Sequence, residues 1–226
     1  MDESIQELSP RMSDCLKVIY DMQERGQKVS TSAVRERLGV SDATVTMLFK
    51  EFAAAGWVEH VPYRGVRLTV AGERKAKEII RHHRLLELYL ARTLGYSWDQ
   101  VHAEADRLEH VISEEFEAKV DALLGYPTVD PHGDPIPSKE GIVTVRPGCT
   151  LLQLPVGQSA YILRVQDQDA EKLRYLGQLG LYPETQIQVL ERAPFGGPLR
   201  ILVGDAANHV EHMLGAEMAE QIIVTG

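Results

Sequence analysis

Apolar side chains recur at positions 12, 15, 16, 19, 20 and 22, the spacing of one helical face, and Gly26 is placed to end that helix. Ser30 and Thr31 then offer an N-cap to a short helix over 32–38, which Gly39 stops. After the tight link Val40-Ser41, a third helical rhythm runs over 42–55 and ends at Gly56. There the period changes. Residues 57–61 and 66–70 read as two short strands around Pro62-Tyr63-Arg64-Gly65, a loop whose Pro and Gly favour a hairpin. A long helix is predicted over 71–94, and a second one after Ser97 as N-cap, over 98–124. Both carry more Leu, Ile, Val and Tyr than two helices of one chain need to cover each other, so a homodimer is expected. Pro127, Pro131, Pro135 and Pro137, with Gly133 among them, end the helical region and open a linker. Beyond it, strands are predicted at 160–165, 186–190, 199–203 and 221–224, with one helix at 170–178. That pattern is a small β-barrel of roughly 80 residues, marginal alone and expected as an appended domain.

Helix, helix, sharp turn, helix and hairpin is the order of a winged helix-turn-helix. The bend at Leu38-Gly39-Val40-Ser41 sets its second helix steeply across the first, and such a helix enters the DNA major groove. Ser41, Ala43, Thr44, Thr46 and Met47 lie on its leading half and can approach base edges. Lys50, Arg64 and Arg67 are placed for phosphates. The expected fold is mainly α with small β parts, in three domains. Residues 1–75 form the winged helix-turn-helix, 76–142 a helical metal-binding and dimerisation domain whose stretch 126–142 is a Pro-rich linker, and 143–226 the barrel.

The whole-chain charge points the other way at first. Against 24 basic side chains stand 33 acidic ones, and a net charge of −9 disfavours nucleic acid. Divided by segment, the excess moves. Residues 1–75 hold eleven of each sign, 76–144 hold seven basic against thirteen acidic, and 145–226 hold six against nine. The deficit is concentrated in the middle third, where a cation site would need it, and the DNA-binding third is neutral. Two cysteines, Cys15 and Cys149, make neither a disulfide framework nor a Cys-based zinc finger, and Cys15 is expected to be a buried thiol. No apolar run reaches the ~18 residues of a membrane span and no signal-peptide core opens the chain. A cytoplasmic protein without a membrane partner is expected.

In the second long helix, His102, Asp106, Glu109 and His110 stand at offsets of 0, 4, 7 and 8, within about a 100° arc of one face. His83 and Glu87 form an i, i+4 pair on the helix before it, and Asp14 adds a carboxylate from the first helix. One histidine on a helix is usually structural; this many imidazoles and carboxylates together point to a metal. Donors without a thiolate suit Mn(II), Fe(II) or Zn(II), and a carboxylate-rich set favours the harder ions. A metal-dependent hydrolase is the competing expectation. It lacks support from a His-Glu-x-x-His motif, a Gly-rich phosphate loop or a Ser-His-Asp set, so an enzyme is not expected. A metal-buffering protein is the third, and it leaves the helix-turn-helix unused.

Several of these stretches resemble one family. Ile19-Tyr20, Gly39-Val40-Ser41, Tyr63-Arg64-Gly65, His83-Arg84-Leu85-Leu86-Glu87, Val101-His102, Glu109-His110-Val111-Ile112-Ser113 and Pro131-His132-Gly133-Asp134-Pro135-Ile136-Pro137 look like the diphtheria toxin repressor family. The stretch 172–183, KLRYLGQLGLYP, resembles the SH3-like domain that the family often carries. The resemblance implies a dimeric, metal-activated repressor of iron or manganese uptake, bound to a palindromic operator in double-stranded DNA. It implies a primary, activating site of Asp14, Asp106, Glu109 and His110, and an ancillary site of His83, Glu87 and His102. The SH3-like domain is expected to add oxygen ligands near Asp169 and Glu171. Iron-type members carry Met and Cys where this chain has Asp14 and Asp106, so the chain resembles the manganese-responsive branch. Mn(II) is the expected cofactor, Fe(II) the second, with Zn(II) or Cd(II) substituting in vitro. Met47 stands where iron-type repressors carry Gln, so Thr31, Ser32, Ser41, Ala43, Thr44 and Thr46 are carried over as groove neighbours only. Without metal the clustered carboxylates are expected to repel one another and free the first helix.

Overall fold

The structure, a computed structural model, describes residues 8–61, 63, 65–205 and 207–226. The chain divides into two compact units. One holds the residues up to His83 together with Arg107–Glu114 and Pro137–Ile142; the other holds Arg84–Asp106, Glu115–Ile136 and Val143–Gly226.

In the first unit, α1 (Pro10–Glu24) starts where the Ser9 hydroxyl accepts from the Met12 amide, with Pro10 at the position where its missing N–H costs nothing. Ser30 caps α2 (Thr31–Leu38) by accepting from the Ala33 amide, and Gly39 ends it in the left-handed conformation, φ 63°. Two residues later Ser41 caps α3 (Asp42–Ala54). The short link between Gly39 and Ser41 thus has a chemical stop and a chemical start. Cys15, Leu16, Ile19 and Met22 of α1 share one core with Val34 of α2 and with Val45, Leu48 and Phe52 of α3. Strands β1 (Val58–Val61) and β2 (Gly65–Leu68) form the wing and send Val58, Val66 and Leu68 into that core. At Gly65, φ is +95° and a Cβ would stand 1.9 Å from the Val29 carbonyl oxygen. Only glycine fits there, and the Val66 amide donates to the same carbonyl at 3.1 Å. Arg64 lies outside the described residues. Helix α4 (Val70–Leu94) supplies Ala76 and Ile79 to the core.

The single helix expected over 98–124 is two, α5 (Val101–Leu108) and α6 (Glu114–Leu123). The β-branched pair Val111-Ile112 is a poor helix continuation, whereas Ser113 followed by Glu114 and Glu115 is a good new start, with acids in the first turn. Glu109 and His110 consequently sit in the turn after α5, not on a continuous helical face.

In the second unit, Leu85, Leu88, Val120 and Ile136 bury one another, and Tyr89 meets Phe116 edge to face. The barrel region is a six-stranded antiparallel sheet made of β3 (Cys149–Thr150), β4 (Ser159–Val165), β5 (Gln186–Arg192), β6 (Leu199–Gly204), β7 (His209–Leu214) and β8 (Ile222–Val224). Its order is β3-β8-β4-β5-β6-β7. Helices α7 (Ala170–Gln178) and α8 (Ala216–Glu220) accompany it, and Leu173 and Leu176 pack into a core with Ile162, Ile187, Val189, Leu199, Ile201 and Val224. Four strands were legible in the pattern; β3 has two residues, and β7 is an edge strand whose first five positions are solvated or half-buried. The Pro-rich stretch is not a solvated spacer. Asp130, His132 and Ile136 are buried, the Val165 amide donates to the His132 carbonyl, and a Cβ on Gly133 would stand 2.0 Å from the Leu163 carbonyl oxygen. No helix among the described residues is long and apolar enough to cross a membrane.

Candidate metal centre and nucleic-acid surface

Asp14 projects from α1 one turn before Lys17, and the turn after α5 supplies Glu109 and His110. Ligand atoms of Asp14, Glu109 and His110 lie within 4.8 Å of one another. His110 Nε2 stands 3.7 Å from Asp14 Oδ1 and 3.5 Å from Glu109 Oε1. The Glu109 side chain is fully buried, and each of its oxygens has a basic partner: Lys17 Nζ at 2.6 Å from Oε1 and His83 Nδ1 at 2.5 Å from Oε2. Burial works against its ionisation, but the His83 hydrogen bond and the charges of His83 and Lys17 outweigh it and hold the carboxyl below the usual range. Two carboxylates and an imidazole, with no thiolate, fit a hard to borderline divalent ion. Cys15 is completely buried.

Of the residues expected in the primary site, Asp14, Glu109 and His110 are brought together in the first unit. Asp106 belongs to the second unit, where its Oδ2 is 3.5 Å from His102 Nε2. His83, expected in the ancillary set, places its Nδ1 on Glu109 Oε2. Lys17 carries no ligand signal in the sequence because a cation is not a ligand, although its i, i+3 spacing from Asp14 puts it on the same face. It also revises the expected repulsion among carboxylates: with Lys17 between Asp14 and Glu109, they are bridged.

In the second unit, Glu87 is the hub. His102 Nδ1 is 3.1 Å from its Oε1, and His132 Nδ1 is 3.8 Å from its Oε2. His132 donates from Nε2 to the Trp98 carbonyl at 2.7 Å, which leaves Nδ1 to face Glu87. Glu87, Asp130 and His132 form a second group of donors within 4.8 Å, all buried. The sequence pattern places Asp130 and His132 in a linker; a histidine between two aspartates in a Pro- and Gly-pinned stretch is the signal for their burial. Asp169 and Glu171 join none of the donor groups found among the described residues. Asp169 Oδ1 caps α7, accepting from the Glu171 and Lys172 amides, and Lys172 pairs with Asp167 at 2.8 Å.

On α3, Val45, Leu48 and Phe52 face the core, so Ser41, Ala43, Thr46, Met47 and Lys50 face solvent, with Thr44 half-buried. Ser41 Oγ accepts from the Thr44 amide and shares a 2.8 Å hydrogen bond with Thr44 Oγ1, so both hydroxyls help to hold the helix start. Thr46 Oγ1 donates to the Asp42 carbonyl. Ser32 on α2 and Arg67 on β2 are exposed, and Thr31 is half-buried. Exposed Arg35 lies 3.5 Å from Asp42 and balances the acid at the front of α3.

A winged helix and, in the same unit, a cluster of hard metal donors define a metal-dependent DNA-binding protein. Residues 7–66 match the iron-dependent repressor N-terminal DNA-binding domain, 69–138 the iron-dependent repressor metal-binding and dimerisation domain, and 149–226 the FeoA domain. The iron-dependent repressor IdeR of Mycobacterium leprae is 32% identical over 225 residues, covering 92% of this chain and 94% of that protein. A manganese-dependent transcriptional repressor solved in complex with manganese superposes with a TM-score of 0.86 at 39% identity, over 95% of this chain and 99% of its own. ScaR with bound Cd2+ superposes with a TM-score of 0.79 at 29% identity, over 94% and 98%. The chain belongs to the iron-dependent repressor family and is a metal-dependent DNA-binding transcriptional repressor.

Proposed function

We propose that this repressor controls manganese or iron uptake, binding a palindromic operator as a homodimer in the cytoplasm when Mn(II), or secondarily Fe(II), occupies the Asp14, Glu109 and His110 cluster. The observation that carries the reading is the convergence of Asp14 from α1 with Glu109 and His110 from the turn after α5. A bound divalent ion supplies two positive charges and directional bonds to hard oxygen and imidazole donors. Asp14 couples α1, which is packed against α2 and α3, to the turn at 109–110; His83 fixes the orientation of Glu109. Joining those elements narrows the positions that α3 adopts and shifts the population toward the DNA-competent form. Glu87, His102 and Asp106, with Asp130 and His132 beside Glu87, form the ancillary locus in the second unit. On the DNA side, α3 presents Ala43, Thr46 and Met47 to base edges, and Lys50 and Arg67 reach phosphates. Zn(II) and Cd(II) compete for the same donors in vitro.

The test is a gel shift on the chain's own promoter with and without Mn(II), beside the double variant Glu109→Ala, His110→Ala. A Mn(II)-dependent shift that the variant loses supports the reading. Undiminished metal-dependent binding by the variant refutes the site. No shift with any of Mn(II), Fe(II) or Zn(II), together with hydrolytic turnover, would favour a hydrolase instead.

A further inference from the structure

The oxygens that approach His110 Nε2 are the same oxygens that approach Lys17 Nζ. Asp14 Oδ1 lies 3.7 Å from the imidazole nitrogen and 3.5 Å from the ammonium; Glu109 Oε1 lies 3.5 Å from the one and 2.6 Å from the other. The ammonium is therefore inside the donor set, not beside it. A buried carboxylate such as Glu109 requires a compensating charge, and with Oε2 already held by His83 the ammonium supplies that charge on Oε1. A divalent ion bonds a carboxylate oxygen at about 2.1 Å, so it and an ammonium cannot both occupy the inner side of Glu109 Oε1. They also repel. The lysine side chain is one-fifth exposed, and its four-carbon stem gives it a route outward, which a fixed guanidinium fork would use less readily.

We infer that Lys17 is an internal cation that holds the metal-free site closed and is displaced by the incoming ion, so that it sets the metal concentration at which the repressor responds. The inference rests on the proposed assignment of Asp14, Glu109 and His110 as the activating site. It has two signatures of opposite sign. Removing the ammonium weakens the metal-free protein, because Glu109 loses its counter-charge. It strengthens metal binding, because the ion no longer has to evict a cation. A lysine that only braced the fold would lower both.

The experiment is a Mn(II) titration of metal-free full-length protein by calorimetry, with thermal unfolding of the same samples, for wild type, Lys17→Met, Lys17→Gln and Lys17→Arg. Lys17→Met is expected to bind Mn(II) at least tenfold more tightly, about 1.4 kcal/mol, with a lower metal-free melting temperature. Lys17→Arg is expected to bind no more tightly than wild type. Should Lys17→Met not fold without metal, Lys17→Gln, which keeps a donor for Glu109 but not the charge, carries the comparison with Lys17→Arg. Equal or weaker Mn(II) affinity in the neutral variants, with wild type binding normally, overturns the role of Lys17 and leaves the site standing. Absence of Mn(II) binding in wild type and all variants overturns the site assignment, and the inference with it.

Discussion

Cys15 and Asp14 are neighbours on α1 with opposite fates, because a helix turns 100° between them. Asp14 reaches the donor cluster, while Cys15 is packed into the apolar core, where burial and then the Asp14 charge push its thiol up to about 12. At pH 8 it should react with a disulfide-exchange reagent roughly a thousandfold more slowly than an ordinary exposed thiol. Native protein is then expected to release label from Cys149 alone, which is half-buried, and from both cysteines after denaturation; rapid double labelling of the native chain would contradict it. Burial also acts on the second unit. It pushes Asp130 up to about 8, reinforced by Glu87 and Asp134; His132 would fall for the same reason, but the Glu87 carboxylate, aided by Asp130, lifts it to about 9. Both folded values lie above the unfolded ones, near 3.9 and 6.5. The fold therefore binds extra protons, and stability is lost as pH rises through the folded values. Urea unfolding of metal-free protein should show the second unit weakening from about pH 4 to about pH 9, most steeply above about pH 6.5 where His132 joins Asp130, with a smaller slope in Asp130→Asn. Glu109, held low, acts in the opposite direction and loses its contribution only in acid. At this scale the ligand types were legible, since they are a matter of composition at helical spacing. Lys17, His83 on Glu109, and His132 on Glu87 were not, because those pairings depend on contacts across 26 to 92 positions of chain.

Helix starts and stops were the best-marked features of the chain, because caps are local chemistry. Ser30, Gly39 and Ser41 lie where the pattern placed them, and α7 spans the residues expected for it. Ser41→Ala should therefore destabilise the first unit by about 1 kcal/mol, the usual cost of a lost N-cap. Because the cap orders the front of α3, operator affinity should fall as well, without any change in Mn(II) affinity. The break between α5 and α6 was missed: the i, i+4 rhythm of His102, Asp106 and His110 continues through it, and only the β-branched pair before Ser113 interrupts it. The packed state of the Pro-rich stretch was missed for a related reason. Prolines mark where helices end and do not reveal what lies against them. Gly133 makes that contact measurable. Its φ of +87° and the Leu163 carbonyl 2.0 Å from a would-be Cβ leave no accommodation, so Gly133→Ala should cost about 2–4 kcal/mol. The loss is expected in the second unit alone, read as an earlier melting step of the FeoA-like domain; an unshifted melt would show that the segment peels away freely.

For the whole molecule, the unresolved cost is apolar surface. In the second unit Leu94, Leu123 and Tyr126 stay largely exposed, and Phe116 is 40% exposed. Isolated exposed side chains are ordinary, but α4 and α6 carry several in a region that matches a dimerisation domain. We propose that a second copy of the chain covers them by an isologous contact, each patch meeting its own counterpart. The DNA side makes the same demand. A single α3 reads only a few base pairs, and the palindromic operator proposed above, with half-sites a helical turn apart, requires two such helices held at a fixed separation. Leu123→Asp should consequently move the sedimenting species from dimer to monomer. Operator affinity at saturating Mn(II) should then fall by about a hundredfold or more, since the second half-site contact is no longer intramolecular. Mn(II) affinity should stay near wild type, because Asp14, Glu109 and His110 lie in one unit of one chain. A monomer with full operator affinity would mean that one winged helix suffices for recognition, and a dimer that withstands Leu123→Asp would place the interface on another face.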